Sequence, residues 1–455
     1  MSKGRRNGLR SRSRLVYFCV FSPCLIGCVS RSGPVVVTRP RKDLIALLPQ
    51  ELVDLIIDNL RDYRSLHSCS LVCRAFVSHT REILFRRIDL SFREVCNKLL
   101  LPKSTLDCIK SLHMSLRMIH RIWGGTQSVL NHPAFPQLMT QLGPLRLTLA
   151  HLSWPQLNDD ARRALSMHAF RNINLGKSVF SSVVDLCEFL YGSPELETLV
   201  LEGLYIPDDI APSLHPYNQR GPSVSRLRLE HDISGLSPFK LIVDARVCPV
   251  SFDKLRDLDV TISNAEDLAT LQNVLEILDT LETLKVSHTP YKYHQAQLPR
   301  SHLNLKNLHR LDLDLDDFND AISTTDQADL FEWWHAVWED SKSTSVEELS
   351  ITTNIELSVE DNYDVAVWSK IATALSSPAW ARLSALCIVI HIYDYDIGQD
   401  LHRYKEAIQH ATNGSSVKVS IIVECPEDHS EPDSEMQWGE EQEDEDVSHS
   451  DLDDW

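Results

Sequence analysis

The sequence predicts a mixed α/β chain: a small helical unit near the N-terminus, then a long irregular solenoid of alternating strands and helices, then a disordered acidic tail. Three observations carry this reading. Residues 47–90 hold amphipathic helical segments in close succession. Below them the pattern apolar-x-x-apolar-x-apolar recurs eleven times, as one strand plus one helix per unit requires. From residue 424 onward there are fifteen Asp or Glu and no Lys or Arg, with few apolar residues to bury. The expected divisions are a basic and apolar extension over 1–42, the helical unit over 43–90, the repeats over 91–423 and the tail over 424–455.

Charge is unevenly placed. The net −19 combines +10 from residues 1–42, −15 from residues 424–455 and −14 from the body between them. An acidic body argues against nucleic acid as a partner, because a phosphate footprint needs clustered basic residues. Eleven cysteines without close-spaced pairs do not make a disulfide framework. They read as reduced thiols in an intracellular protein.

In the extension, six basic residues precede an apolar run over 15–29. Charge followed by about fifteen apolar residues follows the pattern of a signal peptide, and the lack of acids before Asp43 also suits a mitochondrial transit segment. A dispensable extension is the third reading. The run is short for a membrane span and holds Ser22 and Pro23; no other stretch approaches one, so a membrane is not an expected partner.

The helical unit opens Leu48-Pro49-Gln50-Glu51, with Pro49 suited to the first helical position and Glu51 near the positive helix start. Leu52, Ile56 and Leu60 lie four apart, flanked by Val53, Leu55 and Ile57. A second helix is expected to carry Leu66, Cys69, Cys73 and Phe76, and a third, shorter segment Ile83 and Leu84. Near forty residues is the size at which a chain struggles to bury its own core, so these helices must pack on a partner or on the rest of the chain.

This stretch resembles an F-box. The residues that carry the resemblance are Leu48-Pro49-x-Glu51-Leu52, Ile56, Leu60, Leu66 and the run SLVCRAF ending at Phe76, followed by Leu84-Phe85-Arg86-Arg87-Ile88. The ending is similar to F-box proteins of fungi. Phe76 stands where the family more often has Trp, and a Pro common after the first helix is missing. The resemblance implies a Skp-type adaptor as partner, bound or supported by Leu48, Pro49, Leu52, Ile56, Leu60, Leu66, Val72 and Phe76. Some of these must instead pack between the helices, and sequence does not sort the two sets.

The repeats run from Phe85-x-x-Ile88-x-Leu90 through Ile109-x-x-Leu112-x-Met114 and Leu142-x-x-Leu145-x-Leu147 to Leu383-x-x-Leu386-x-Ile388, with a final strand over 417–423. Helices are expected between them. Asn264 can cap one whose Leu268, Leu271, Leu275 and Leu278 share a face; another over 183–191 ends at Gly192, expected as a left-handed stop. The repeats resemble leucine-rich repeats, with one departure. Three residues past each final strand apolar, where that family places Asn or Cys, only Asn354 fits. Backbone groups of the turns must therefore be paired in some other way. A Pro-rich stretch over 206–222 interrupts the order. Trp333, Trp334, Trp338, Trp368 and Trp380 crowd one region, either as core or as a recognition surface.

No phosphate-binding, zinc-protease or nucleophile-elbow motif occurs, so no catalytic, cofactor or metal site is expected. Asp312-Leu313-Asp314-Leu315-Asp316 has oxygen ligands two apart, but it lacks a calcium loop's glycine and alternates as a strand does. Cys69 and Cys73 lack further zinc ligands and read as packing. In the tail, Trp438 and Trp455 are candidate anchors, though most such tails only solvate. The leading expectation is a non-catalytic, cytoplasmic or nuclear substrate receptor of an SCF-type ubiquitin ligase. Its F-box would reach a cullin scaffold through the adaptor and its repeats would hold a protein substrate. The alternatives are a ligase-independent interaction scaffold and a secreted repeat protein.

Overall fold

The computed structural model describes residues 48–60, 62–72, 74–89, 108–114, 130–206, 221–230, 249–288, 303–315, 324–354, 365–391 and 417–424, with residues 402, 405–406, 408–410 and 412. The apolar run over 15–29, most of the Pro-rich stretch, the acids from Asp316 to Asp320 and the tail beyond Glu424 lie outside them. The chain divides into two units, residues 1–260 and 261–455.

The first unit opens with helices α1 (Gln50–Asp58), α2 (Tyr63–Val72) and α3 (Arg74–Phe85). One residue, Arg86, separates α3 from strand β1 (Arg87–Asp89), so the helical unit runs directly into the sheet. Strands β2 (Ser111–Met114), β3 (Leu145–Ala150), β4 (Phe170–Gly176), β5 (Thr198–Glu202), β6 (Arg226–Glu230) and β7 (Asp257–Ile262) follow, β7 spanning the boundary between the units. Every strand pairs in parallel with the next from β1 to β7. Parallel neighbours need crossovers, and helices α4 (Ala134–Gln141), α5 (Asp159–Met167) and α6 (Val183–Tyr191) supply them, α4 packing on α5 and α5 on α6.

Leucines in register build the core. Leu112, Leu147, Ile173, Leu199, Leu227 and Leu258 pair strand to strand, and each is at most 2% exposed. Trp154, stacked on Phe180 with centroids 5.4 Å apart, extends this core beyond the strand ends. The pairing corrects one repeat. Leu112 meets Leu147 and Met114 meets Leu149, so the third repeat is seated two residues further along than Leu142-x-x-Leu145-x-Leu147 implies. Leu145, Leu147 and Leu149 all face the core, so a slip of two leaves the buried face unchanged and the sequence does not choose. The β3–β4 pairing keeps this seating, with Leu147 opposite Ile173 and Leu149 opposite Leu175, and shifts by one residue between Leu145 and Arg146.

The turns after the strands replace the missing asparagines with backbone. In register, the relevant positions are Leu152, Ser178 and Leu204, all buried. The amide of Val179 donates to Leu152 O at 2.7 Å and that of Tyr205 to Ser178 O at 2.8 Å. One position earlier, His151, Lys177 and Gly203 take φ of 59°, 47° and 61°. Their amides donate to the carbonyls of Gly176, Glu202 and Glu230 in the next strand. The turn backbone is thus satisfied repeat to repeat without a side-chain ladder.

The second unit holds α7 (Ala265–Ile277), β8 (Thr283–His288), β9 (Arg310–Asp314), α8 (Thr324–Asp340), β10 (Glu348–Asn354), α9 (Val365–Leu375), β11 (Ala385–His391) and β12 (Lys418–Glu424). Strands β8 to β12 pair in parallel and in order, with Leu284, Leu311, Leu349, Leu386 and Val419 in register. Asn264 caps α7 as expected, its Oδ1 accepting from the amides of Glu266 and Asp267. The five clustered tryptophans are core: Trp333, Trp334, Trp338, Trp368 and Trp380 are each at most 7% exposed. Leu311, Leu313 and Leu315 are buried while Arg310 Nε holds the Asp312 carboxylate, the arrangement of a strand with a polar face.

Gly192 also ends α6 differently from the expectation. Its φ is −64°, right-handed. The position demands glycine because a Cβ there would run into the carbonyl oxygen of Ser166, in the last turn of α5.

Candidate functional site

The three N-terminal helices hold the candidate site residues. Pro49 is the cap residue of α1, its carbonyl accepting from the amides of Leu52 and Val53. Asp62 starts α2, its Oδ1 accepting from the Ser65 amide at 2.8 Å. Hydrogen bonds from Ser65 hold its carboxyl below the usual range. The sequence pattern had run the second helix on to Phe76; instead α2 ends at Val72 and Phe76 lies in α3, the longest of the three. Helix α3 packs against both α1 and α2. His79 Nε2, 2.8 Å from Asp58 Oδ1, ties α3 to the end of α1.

Val53, Ile57 and Leu66 form the buried centre, with Leu60, Phe76, Ile83 and Leu84 packed against it. Of the candidate residues, Leu60, Leu66 and Phe76 therefore belong to the core of the unit. Leu48, Leu52 and Ile56 are instead 42%, 47% and 49% exposed, Val72 is 62% exposed, and Pro49 is exposed beside them. Leu55 and Leu71, at 58% and 75%, had not been singled out as site residues. Positions 48, 52, 55 and 56 share one face of a 3.6-residue helix, and 53, 57 and 60 share another. Because α1 is apolar on both faces, periodicity shows a wide stripe without saying which part is inside.

The result is two groups of exposed apolar side chains, one along α1 and one at the end of α2. Large side chains left in water on one small unit mark a docking surface. Fully burying one Leu or Ile is worth roughly 1.5–3 kcal/mol, so leaving these groups half-exposed forgoes part of that gain. Among the described residues no cluster of three or more His, Cys, Asp or Glu is arranged to hold a metal ion, and no helix is long and apolar enough to cross a membrane.

The unit is thus a three-helix module, apolar on its exposed face, fused to a parallel α/β sheet. Residues 45–91 match the family model described as F-box-like, so the chain carries an F-box-like domain, a domain that generally binds Skp-type adaptors. No curated protein matches the chain.

Proposed function

We propose that the chain is the substrate-recognition subunit of an SCF-type ubiquitin ligase, working in the cytoplasm or nucleus. Its F-box-like domain docks on a Skp-type adaptor and, through it, on a cullin scaffold. The strand–helix units, which we read as degenerate leucine-rich repeats, hold the protein to be modified. The protein does no chemistry itself; positioning a substrate lysine near a charged ubiquitin-conjugating enzyme raises its effective concentration. The observation that carries this reading is the exposed apolar face of α1, formed by Leu48, Leu52, Leu55 and Ile56 within a domain that matches the F-box-like model. Co-purification of the full chain with a Skp-type adaptor tests it. Capture by wild type and loss of capture by Leu52→Asp with Ile56→Asp, at unchanged melting temperature, is the expected result. A wild-type chain that captures no adaptor would sink the ligase reading.

A further inference from the structure

Strand β12 closes the strand order, and its outer edge pairs with no strand among the described residues. The Lys418 amide donates to Ser384 O at 3.0 Å, which turns the peptide groups of residues 418, 420, 422 and 424 toward β11. Those of Val419, Ile421 and Val423 alternate with them and point to the open edge. The same three residues are in register with Leu386, Ile388 and Ile390 on the core face. These β11 residues are 3%, 0% and 0% exposed, whereas Val419, Ile421 and Val423 are only partly buried. On the other face Ile422 is 44% exposed. An open edge flanked by incompletely covered apolar side chains is a template for one more strand. The sequence of β12, Lys-Val-Ser-Ile-Ile-Val-Glu, is also complementary to its own reverse about Ile421. Position 418, a lysine, then faces position 424, a glutamate; Val419 faces Val423, Ser420 faces Ile422, and Ile421 faces itself. The residues with outward peptide groups fall opposite one another, as the hydrogen-bonded pairs of an antiparallel ladder require. A slip of two residues would put Lys418 opposite Ile422 and lose the charge pairing.

We propose that β12 pairs antiparallel with β12 of a second copy of this chain, centred on Ile421, so that two sheets join edge to edge. The contact is isologous and closes at two copies. Each chain brings the peptide groups of Val419, Ile421 and Val423 to the ladder, and the apolar row on the core face runs on across the junction. The segment beyond residue 424 is a poorer occupant. It has no Lys or Arg to meet position 424 and few apolar residues to meet Val419, Ile421 and Val423. A single strand pair buries less than a standard interface of about 1,600 Å², so the dimer is expected to depend on concentration. The proposal goes beyond the ligase reading and does not rest on it. Sedimentation velocity of the full chain, over a range of concentrations near physiological salt, tests it. Wild type is expected to shift from monomer to dimer as concentration rises. Ile421→Pro removes an amide from the open edge without breaking a bond to β11, and it is expected to abolish the dimer at unchanged melting temperature. Lys418→Glu sets like charges opposite each other and is expected to weaken the dimer about tenfold. Adding Glu424→Lys to it should restore the dimer, and this restoration decides the matter even where Ile421→Pro disturbs the fold. A wild type that stays monomeric, a dimer that neither single variant weakens, or a double reversal that does not restore it overturns the proposal. So does a dimer that forms only after residues 425–455 are removed, since the chain's own tail would then cover the edge.

Discussion

The indole Nε1 of Trp334 donates to Nε2 of His288 across 3.1 Å, joining α8 to the end of β8 inside the second unit. Both side chains are buried, and their rings meet edge-on at 6.0 Å. An imidazole that accepts at Nε2 carries its proton on Nδ1 and is neutral. Burial accounts for this, pushing the His288 pKa down from 6.5 to about 3.

That depression makes the second unit acid-sensitive. Between pH 6.5 and about 3 the unfolded chain binds a proton at this histidine that the folded chain does not. Stability from this group therefore falls as pH drops below 6.5, with a slope approaching about 1.4 kcal/mol per pH unit. Urea unfolding across this range should show a shallower acid loss for His288→Gln than for wild type. Identical slopes would remove His288 as the cause. Trp334→Phe, which leaves the ring acceptor without its donor, should cost about 1–3 kcal/mol at neutral pH.

Gly192 tests a packing constraint. With the Ser166 carbonyl where a Cβ would stand, Gly192→Ala forces α5 and α6 apart and should cost at least about 2 kcal/mol. Gly143 is the matched control, with nothing within 4 Å of an added Cβ, and Gly143→Ala should lie within about 0.5 kcal/mol of wild type. Comparable melting temperatures for the two variants would contradict this account of Gly192.

The stacked left-handed turns predict a different signature. Lys177 holds φ 47°, a conformation glycine adopts freely and other residues do not. Lys177→Gly should be more stable than Lys177→Ala by about 1 kcal/mol, and Gly203→Ala should lose a similar amount. Comparing glycine with alanine at one position isolates the backbone from whatever the lysine side chain contributes. An Ala variant as stable as the Gly variant would mean that the turn relaxes.

Much of the fold was legible because its signal is local. Each of the twelve strands among the described residues lies where an apolar pair two residues apart marks an extended segment, and Asn264 announced α7 through cap chemistry. What was not legible depends on neighbours. The seating of β3 is decided by pairing with β2 and β4, since Leu145, Leu147 and Leu149 satisfy either register equally. Glycine at 192 is explained by a carbonyl more than twenty residues away in sequence, not by its own dihedral angles. The candidate site was half readable for the same reason: α1 is apolar on two faces, and α3 decides that Val53 and Ile57 go inside.

That division gives the sharpest test of the N-terminal module. Ile56 and Ile57 are adjacent, of one type and on one helix, yet Ile56 is 49% exposed and Ile57 is 0%. Ile57→Ala removes buried volume from the cluster with Val53 and Leu66 and should cost about 2–5 kcal/mol of stability. Ile56→Ala should fall within about 0.5 kcal/mol of wild type, because about half of its surface is already in water. For adaptor binding the order reverses. Truncating an exposed anchor at Ile56, Leu52 or Leu55 should weaken association by more than about 1 kcal/mol each, if these side chains lie near the centre of the contact. Thermal unfolding and adaptor titration on the same purified variants read the two effects separately. Should Ile56→Ala lose stability while keeping full adaptor affinity, the exposed face of α1 is not the docking surface and the assignment moves to Leu71 and Val72.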